Sequence, residues 1–321
     1  MIFEKFVLDI FRKKLYKRYD PDGTIRYCSK NDFDGLNSEE FDFRGNEGQL
    51  LRGYFYYRSK KRTDRLIVFD HGMGCGHNAY LVEINILTEN GYTVYTYDHT
   101  GTCRSEGESI RSVTQSLSDL DACITALRNT EEYKNADISV MGHSWGGYSS
   151  LNVPAFHPQI THVLALSGFI SLDAILSDSF VGVLKPYKKA AITAECKLNP
   201  KYSRCDARES LKNSNAKCLI IHSSDDPTVK FETHFAALKS ALGDNKRLRF
   251  LEVSGKAHHP HYTRDSVAYR NSFTSDLKKI YKSKHKLSDE EKQSFTNKYD
   301  WPRMADQDMD VWNIMLEFLA S

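Results

Sequence analysis

The stretch Gly142-His143-Ser144-Trp145-Gly146-Gly147 decides how this sequence is interpreted. It begins where the apolar run 138–141 ends, and a helical pattern follows it from about Tyr148. The glycines around Ser144 leave room for a sharp turn that presents the serine hydroxyl above a sheet. The helix that follows directs its free N–H groups at the same point. This order of strand, turn and helix is the pattern of a nucleophile elbow.

A carboxylate suited to orient a base follows another apolar run. A serine hydroxyl is a poor nucleophile at neutral pH, so it needs a base and an acid that holds the base. After residues 218–221 the chain reads His222-Ser223-Ser224-Asp225-Asp226-Pro227-Thr228-Val229. We choose Asp226, which precedes Pro-x-Val, as the acid, and we keep Asp225 as the alternative.

The candidate base is His258. Residues 248–253 form a strand pattern that leads into Ser254-Gly255-Lys256-Ala257-His258-His259-Pro260-His261, where a glycine turn delivers His258 to the carboxyl edge of a sheet. His259 is the reserve base. The three histidines also allow a metal site, but no carboxylate or cysteine accompanies them at ligand spacing, and we predict none. Nucleophile, acid and base follow one another along the chain in the order that is characteristic of one fold of triad enzymes.

Backbone donors for an oxyanion are expected in two places. The N–H of Trp145 directly follows the nucleophile. The loop Asp70-His71-Gly72-Met73-Gly74-Cys75-Gly76, after the apolar run 66–69, lets the backbone turn its amides inward, and Met73 is the expected donor. A phosphate-binding loop is disfavoured, because neither G-K-[ST] nor G-x-G-x-x-G with its acidic partner is present.

The wider pattern alternates short apolar runs with helical stripes. Helical stripes occupy residues 117–127 and 231–242, and an antiparallel pair of strands is expected at 39–44 and 50–57. Such alternation predicts an α/β fold with a mostly parallel central sheet and helices on both faces. The runs expected to be buried parallel strands are 66–69, 94–97, 138–141, 163–166, 218–221 and 248–251.

We expect one domain with additions. Residues 1–38 form an N-terminal amphipathic helix and extension, and residues 39–321 form the main domain. An insertion at about 171–203 is expected to be a small helical cap over the acyl pocket. A second, very polar insertion lies at about 262–305, where Ser288 and Glu291 form a plausible capping box and a run of lysines indicates a solvated face. A last helix begins near Met309.

The N-terminal helix has an apolar stripe opposite a basic face. A basic amphipathic helix can lie on an anionic membrane as a peripheral contact. We favour packing on the domain or on a second subunit of a homo-oligomer, since amphipathic helices are common in globular proteins. The apolar stripe consists of Ile2, Phe3, Phe6, Val7, Ile10, Phe11 and Leu15.

Composition excludes several classes of protein. The 321 residues carry a formal net charge of +2, which is too small for a protein that coats nucleic acid. The longest apolar runs are far short of a membrane span, and no secretory signal is visible at the start of the sequence. Seven cysteines without a C-x-x-C pair indicate free thiols and a cytoplasmic location.

Residues 39–262 and the last helix resemble the α/β-hydrolase superfamily, in the branch of serine esterases, monoacylglycerol lipases and aminopeptidase-like enzymes. The resemblance implies a Ser-His-Asp triad that needs neither a metal nor an organic cofactor. Departures from the family pattern are His99-Thr100, Cys103, Ser223 and Lys256-Ala257. The matching segments are 71–74, 98–107, the elbow, 226–229 and 255–258.

The expected function is hydrolysis of a small-molecule ester with a hydrophobic group, through an acyl-enzyme on Ser144. A serine peptidase of the aminopeptidase-like type, a thioesterase and an acyltransferase would use the same triad. A non-catalytic binding module would be expected to lack a triad member, and none is missing here. Cys75 and Cys103 lie on loops near the expected site, and we favour packing over reactivity for both thiols.

Overall fold

The computed structural model describes residues 2–283 and 287–321, and its centre is an eight-stranded sheet. The strand order is β1-β4-β6-β5-β7-β8-β9-β10, while β2 and β3 form a separate two-stranded sheet. The strands are β1 (Asn37–Glu40), β2 (Phe43–Arg44), β3 (Leu50–Leu51), β4 (Gly53–Tyr57), β5 (Arg65–Asp70), β6 (Thr93–Tyr97), β7 (Asp137–His143), β8 (His162–Leu166), β9 (Lys217–Ser223) and β10 (Leu248–Val253).

The sheet is parallel from β6 to β10, and β4 runs antiparallel to both of its neighbours, β1 and β6. All six predicted apolar runs are strands, and the predicted α/β class is confirmed. The expected antiparallel pair is present in two parts, because β1 pairs with β4 whereas β2 pairs with β3. Parallel strands end at one edge, so the loops after β5, β7, β9 and β10 meet there.

Helices cover both faces of the sheet. Alternate residues of β5 point to opposite sides, so Val68 belongs to the core beneath α3 and α4, and Ile67 belongs to the core beneath α2 and α12. The helices are α1 (Ile2–Leu15), α2 (Leu81–Glu89), α3 (Gln115–Arg128), α4 (Trp145–Asn152), α5 (Leu172–Ser179), α6 (Lys188–Leu198), α7 (Ala207–Lys212), α8 (Ala237–Leu242), α9 (Arg264–Lys282), α10 (Asp289–Thr296), α11 (Trp301–Met304) and α12 (Met309–Ala320).

The second insertion forms helices α9, α10 and α11, which we call the roof. The roof has a small core of its own, made by Phe273, Phe295 and Met304. Ile25 of the N-terminal extension packs against this core, so the extension and the roof form one layer. The predicted capping box of Ser288 and Glu291 begins α10. Two members of the predicted lysine run, Lys284 and Lys286, lie outside the described residues.

Helix α1 confirms the predicted N-terminal helix and lies against the chain's own first insertion. It contacts α6 and the 3₁₀ helix Gly182–Tyr187. Ile10 is 39% exposed, and the side chains of Ile2, Phe3, Phe6, Val7 and Phe11 lie outside the described residues. Within 2–283 and 287–321, no helix has both the length and the apolar character needed to cross a membrane.

Candidate active site

Ser144 sits in a strained turn between β7 and α4. Its φ is +58°, a left-handed value that non-glycine residues rarely adopt. The turn needs glycine on either side, since a Cβ on Gly142 would lie 2.2 Å from the Gly146 oxygen. A Cβ on Gly146 would lie 2.0 Å from the Asp70 oxygen. The close approach of β5, β7 and α4 therefore raises the serine above the carboxyl edge of the sheet.

Three residues from three different loops form one hydrogen-bonded chain. Ser144 Oγ lies 2.8 Å from His258 Nε2, and His258 Nδ1 lies 2.7 Å from Asp226 Oδ2. Ser144 follows β7, Asp226 follows β9 and His258 follows β10, so the parallel sheet brings together residues that are far apart in sequence. This arrangement can transfer a proton from the serine to the histidine while the carboxylate holds the imidazole.

Asp226 is held as a carboxylate by the groups around it. Its Oδ1 accepts hydrogen bonds from the backbone N–H groups of Thr228 (2.8 Å) and Val229 (3.0 Å). Burial alone would raise the pKa of Asp226, but hydrogen bonds from His222 and His258 outweigh burial and hold that pKa well below its usual value. His222, which no sequence pattern indicated, lies 3.4 Å from Asp226 Oδ2.

Asp225, the alternative acid, contacts a different group of residues. Its Oδ1 accepts hydrogen bonds from Ser223 Oγ (2.6 Å) and from the backbone N–H of Gly255 (2.8 Å). Its Oδ2 accepts a longer one from the N–H of Ala257 (3.3 Å), a residue whose φ is +45°. Asp225 therefore braces the turn that carries His258 and does not contact the imidazole.

The other two histidines of the loop point away from Ser144 Oγ. His259, the reserve base, is stacked between Tyr262 (4.9 Å between ring centroids) and His143 (5.1 Å). His261 Nε2 lies 3.1 Å from the buried carboxylate of Glu83. Across the described part of the chain, no group of three or more histidine, cysteine, aspartate or glutamate side chains could hold a metal ion.

A second chain of hydrogen bonds, absent from the sequence predictions, runs beside the first. His143 Nε2 lies 2.7 Å from the His258 carbonyl oxygen, so it must carry the proton and donate it. His143 Nδ1 is then an acceptor for the hydroxyl of Tyr80 at 2.8 Å, and that hydroxyl accepts from the Gly72 N–H at 3.1 Å. Burial and the neighbouring His258 and His261 lower the pKa of His143 well below its usual value, which keeps it neutral.

The expected oxyanion donors lie on either side of Ser144. Trp145 is the first residue of α4, where backbone N–H groups have no partner within the helix. Its indole is buried and donates to the Val113 carbonyl oxygen at 2.5 Å, which fixes the start of the helix. Met73 lines the same cavity as Ser144, and the neighbouring Gly74 has a φ of +77° that lets the loop turn.

A cavity of about 340 Å³ opens beside Ser144. Its floor is made by the loops that carry Met73, Ser144 and His258. The second insertion covers this cavity. Residues 171–203, which were expected to cover the acyl pocket, do not line it. The reason is that α9 and α11 turn their few apolar side chains inward over the sheet edge. The residues of the roof and the extension that line the cavity include Ile25, Tyr27, Phe273, Leu277, Trp301 and Met304.

The cavity is apolar with an excess of positive charge. Among the described residues that line it there is no aspartate and no glutamate, and the side chains with a fixed charge are Arg26 and Arg270. Arg26 lies 3.5 Å from Asp32 at the surface. Arg270 has no acidic partner within the described chain, and its guanidinium donates one hydrogen bond there, to the Met304 carbonyl oxygen at 3.3 Å.

Residues that depart from the family pattern make buried ion pairs around the site. His99 is buried between Asp70 (2.9 Å) and Asp119 (3.2 Å). Burial lowers the pKa of His99, but the two carboxylates outweigh burial and raise that pKa to about 10. Lys256 is buried and pairs with Asp308 at the start of α12, which ties the histidine loop to the last helix.

The two cysteines near the site are protonated thiols. Burial raises the pKa of Cys75 to about 12, and its Sγ donates to the Gly72 carbonyl oxygen at 3.1 Å. Burial also raises the pKa of Cys103, whose φ of +45° explains why glycine suits this position. Neither thiol has the lowered pKa of a reactive cysteine.

Comparison with known proteins finds one family model that matches part of the chain. Residues 61–203 match the family model described as serine aminopeptidase, S33. No curated protein sequence matches the chain.

Solved structures with the same fold include esterases and peptidases. An esterase of Pyrococcus furiosus is 18% identical, with a TM-score of 0.58, over 84% of this chain and 98% of the esterase. An acylaminoacyl peptidase of Pyrococcus horikoshii is 19% identical, with a TM-score of 0.54, over 71% of this chain and 39% of the peptidase. A puromycin-hydrolyzing peptidase of Mycobacterium tuberculosis is 16% identical, with a TM-score of 0.54, over 69% of this chain and 36% of that peptidase.

Proposed function

This chain has the α/β-hydrolase fold, and we propose that it cleaves carboxylic esters of small molecules through an acyl-enzyme formed on Ser144. The observation that carries the proposal is the pair of hydrogen bonds, 2.8 Å and 2.7 Å, that join Ser144, His258 and Asp226. These distances lie within the reach that nucleophile and base need before any substrate is bound.

In the first step Ser144 Oγ attacks the acyl carbon of the ester. His258 Nε2 takes the proton from Oγ as the new C–O bond forms, and Asp226 stabilises the imidazolium. The tetrahedral intermediate then collapses. His258 returns the proton to the alkoxide as the ester C–O bond breaks, and the alcohol leaves from an acyl-enzyme.

The oxyanion of the tetrahedral intermediate is assigned to the backbone N–H groups of Met73 and Trp145. Each such donor contributes about 3–4 kcal/mol to the stabilisation of the transition state in related acyl transfer. Water, deprotonated by His258, attacks the acyl-enzyme in the second step. Ser144 leaves as it regains its proton from the same imidazole, and the carboxylic acid is released.

The cavity favours an ester over the N-terminus of a peptide. An aminopeptidase must bind a free ammonium group, and that cation needs a carboxylate or several acceptors near the scissile bond. The described lining holds no aspartate or glutamate, and both of its fixed charges are positive. Phe273, Leu277 and Trp301 instead offer an apolar surface for an acyl or alcohol group.

We also propose a cytoplasmic location. All seven cysteines are free thiols in the structure, including half-buried Cys28, Cys196 and Cys205. Thiols at such positions stay reduced in the cytoplasm and oxidise in secretory compartments.

The experiment compares wild type with Ser144→Ala on p-nitrophenyl esters from acetate to palmitate. Aminoacyl p-nitroanilides and acyl-CoA thioesters are assayed in parallel. We expect ester turnover that disappears in Ser144→Ala, and labelling of Ser144 by a fluorophosphonate probe. Turnover of the anilides alone would identify a peptidase, and turnover of the thioesters alone a thioesterase. Silence on every substrate without labelling of Ser144 would refute the hydrolase and favour a binding module.

A further inference from the structure

The roof places one guanidinium over the cavity that contains Ser144. Arg270 lies in the middle of α9, between Val267 and Phe273, which are buried in the packing of the same helix. It lines the cavity together with Ser144 and His258. Arg270 is only partly buried, so it needs no partner within the protein and can offer its charge to a molecule in the cavity.

The guanidinium is held in place by an aromatic face rather than by an acid. Arg270 Cζ lies 5.0 Å from the centre of the Tyr262 ring. The Tyr262 hydroxyl donates to Glu83 Oε1 at 2.9 Å, and the ring stacks on His259, so its position is fixed. Stacking covers one face of a guanidinium and leaves the N–H groups on its edge free to donate.

Within residues 2–283 and 287–321, those N–H groups are nearly unused. The Met304 carbonyl oxygen, at 3.3 Å, accepts one long hydrogen bond from Nη1. A guanidinium has five donors, and the described residues that line the cavity contribute no carboxylate to meet them. Glu83, on the other side of the tyrosine, accepts hydrogen bonds from Tyr262 and His261 on Oε1.

We propose that Arg270 binds a carboxylate of the substrate, so that the preferred substrate is an ester with an apolar body and a second, ionised carboxyl group. Half-esters of aliphatic dicarboxylic acids belong to this class. The planar fork of arginine matches a carboxylate through two parallel hydrogen bonds. Phe273 and Leu277, one and two turns further along α9, pack against the methylene groups between the two ends. The proposal rests on the proposed ester hydrolysis.

The test compares two p-nitrophenyl esters of the same shape. Mono-p-nitrophenyl glutarate carries a terminal carboxylate, and p-nitrophenyl 5-methylhexanoate carries an isopropyl group in its place. The ratio of kcat/KM for the two esters is measured in wild type, Arg270→Gln, Arg270→Lys and Lys278→Gln. Lys278→Gln is the matched control, because it removes one positive charge from an exposed position of the same helix.

We expect wild type to prefer the glutarate, and Arg270→Gln to lower the ratio about 10- to 100-fold, the loss of a charge-assisted hydrogen-bonded pair. Arg270→Lys should retain part of the preference, and Lys278→Gln all of it. An equal ratio in wild type and Arg270→Gln, with both active on the neutral ester, overturns the proposal.

A binding measurement separates this proposal from the proposed function. Glutarate is titrated calorimetrically into Ser144→Ala and into the double variant with Arg270→Gln. Binding that requires Arg270 supports the carboxylate site even without ester turnover. Absence of binding to Ser144→Ala, together with hydrolysis of the neutral ester by wild type, refutes the carboxylate site and leaves the esterase intact. Circular dichroism melting of each variant establishes that it is folded.

Discussion

The imidazole of His143 donates a hydrogen bond from Nε2 to the backbone carbonyl oxygen of His258, at 2.7 Å. The residue before the nucleophile thus holds the main chain of the candidate base. Tyr80 extends this link to the Gly72 N–H, next to the expected oxyanion donor Met73. Two loops that must keep a fixed distance during the reaction are therefore connected through one buried hydroxyl.

Replacement of that hydroxyl should weaken both stability and turnover. Tyr80→Phe leaves His143 Nδ1 and the Gly72 N–H without a partner in a buried place, at a cost of roughly 1–3 kcal/mol in the free energy of unfolding. We expect kcat on a p-nitrophenyl ester to fall about tenfold, because the loops that carry His258 and Met73 are no longer held in alignment. Tyr92→Phe is the control, since the Tyr92 ring packs under Arg65 at the surface. Equal kcat in the two variants would contradict the role of Tyr80.

The two neighbouring aspartates should behave differently. Asp226→Asn should lower kcat by about 10⁴-fold, as expected when a triad acid can no longer hold the imidazole in its tautomer. Asp225→Asn should mainly lower stability, because Asp225 braces the turn before His258 through Gly255 and Ala257. Initial rates and urea unfolding of both variants distinguish them. A larger loss of kcat in Asp225→Asn would reverse the assignment.

The buried His99 should make stability depend on alkaline pH. Its pKa in the folded protein is raised to about 10, above the ordinary value of 6.5. Between these two values the folded protein keeps a proton on His99 that the unfolded chain releases. The stabilisation from protonated His99 is therefore complete below about pH 6.5 and is lost as pH rises through about 10. We expect the free energy of unfolding to fall over this interval by at most about 1.4 kcal/mol per pH unit from this group.

Urea unfolding of wild type and His99→Gln across pH 6.5 to 10 measures the effect. Asp119→Asn, which removes one of the two carboxylates, should lower the pKa of His99 in the folded protein, so that the fall in stability ends at a lower pH. A slope that is the same in wild type and His99→Gln would show that other groups cause it.

Gly146, two residues after Ser144, has no room for a side chain. Gly146→Ala would place Cβ 2.0 Å from the Asp70 oxygen, so β5 or α4 must move. We expect a loss of at least about 1–3 kcal/mol in stability together with loss of activity. Gly48→Ala is the comparison, because no atom lies within 4 Å of its Cβ. Its φ of +85° adds a backbone strain of about 1–2 kcal/mol that Gly146 does not have, so a larger loss in Gly146→Ala comes from the close contact. Thermal melts that differ little between the two variants would contradict the close contact.

The roof, rather than the first insertion, should determine which acyl groups are accepted. Phe273→Ala removes a ring from the small core of the roof, and buried phenylalanine-to-alanine changes cost about 3–5 kcal/mol. We expect faster proteolysis within 264–305 and a raised KM for long-chain p-nitrophenyl esters. Leu184→Ala, in the first insertion, should leave the chain-length profile unchanged. The opposite result would return the acyl pocket to 171–203.

The strands and the candidate site were predictable for one physical reason. Strands buried on both faces are continuous apolar runs, and residues just past their ends must meet at one edge. Ser144, Asp226 and His258 could therefore be chosen together from local sequence. Asp225 and Asp226 differ by one position, and only the direction of each side chain after β9 separates them.

The roof could not be predicted because its composition is that of a solvated segment. Helix α9 carries lysines outward, and few of its residues, Val267 and Phe273 among them, are buried. The spacing of Val267, Arg270, Phe273 and Leu277 is the signal that could have indicated an inward face. The link from His143 to His258 depends on backbone carbonyl positions, which no residue pattern encodes.

The small core of Phe273, Phe295 and Met304 has a consequence for how this protein can change over time. The roof buries its own apolar side chains and rests on the sheet edge, while Ser144, His258 and Asp226 belong to the loops of the sheet. Substitutions in the roof can therefore alter which molecules enter without disturbing the reacting groups. If the proposed function holds, selectivity and chemistry would reside in two separable parts of the chain, and new substrate preferences could arise in the roof while the reaction is retained.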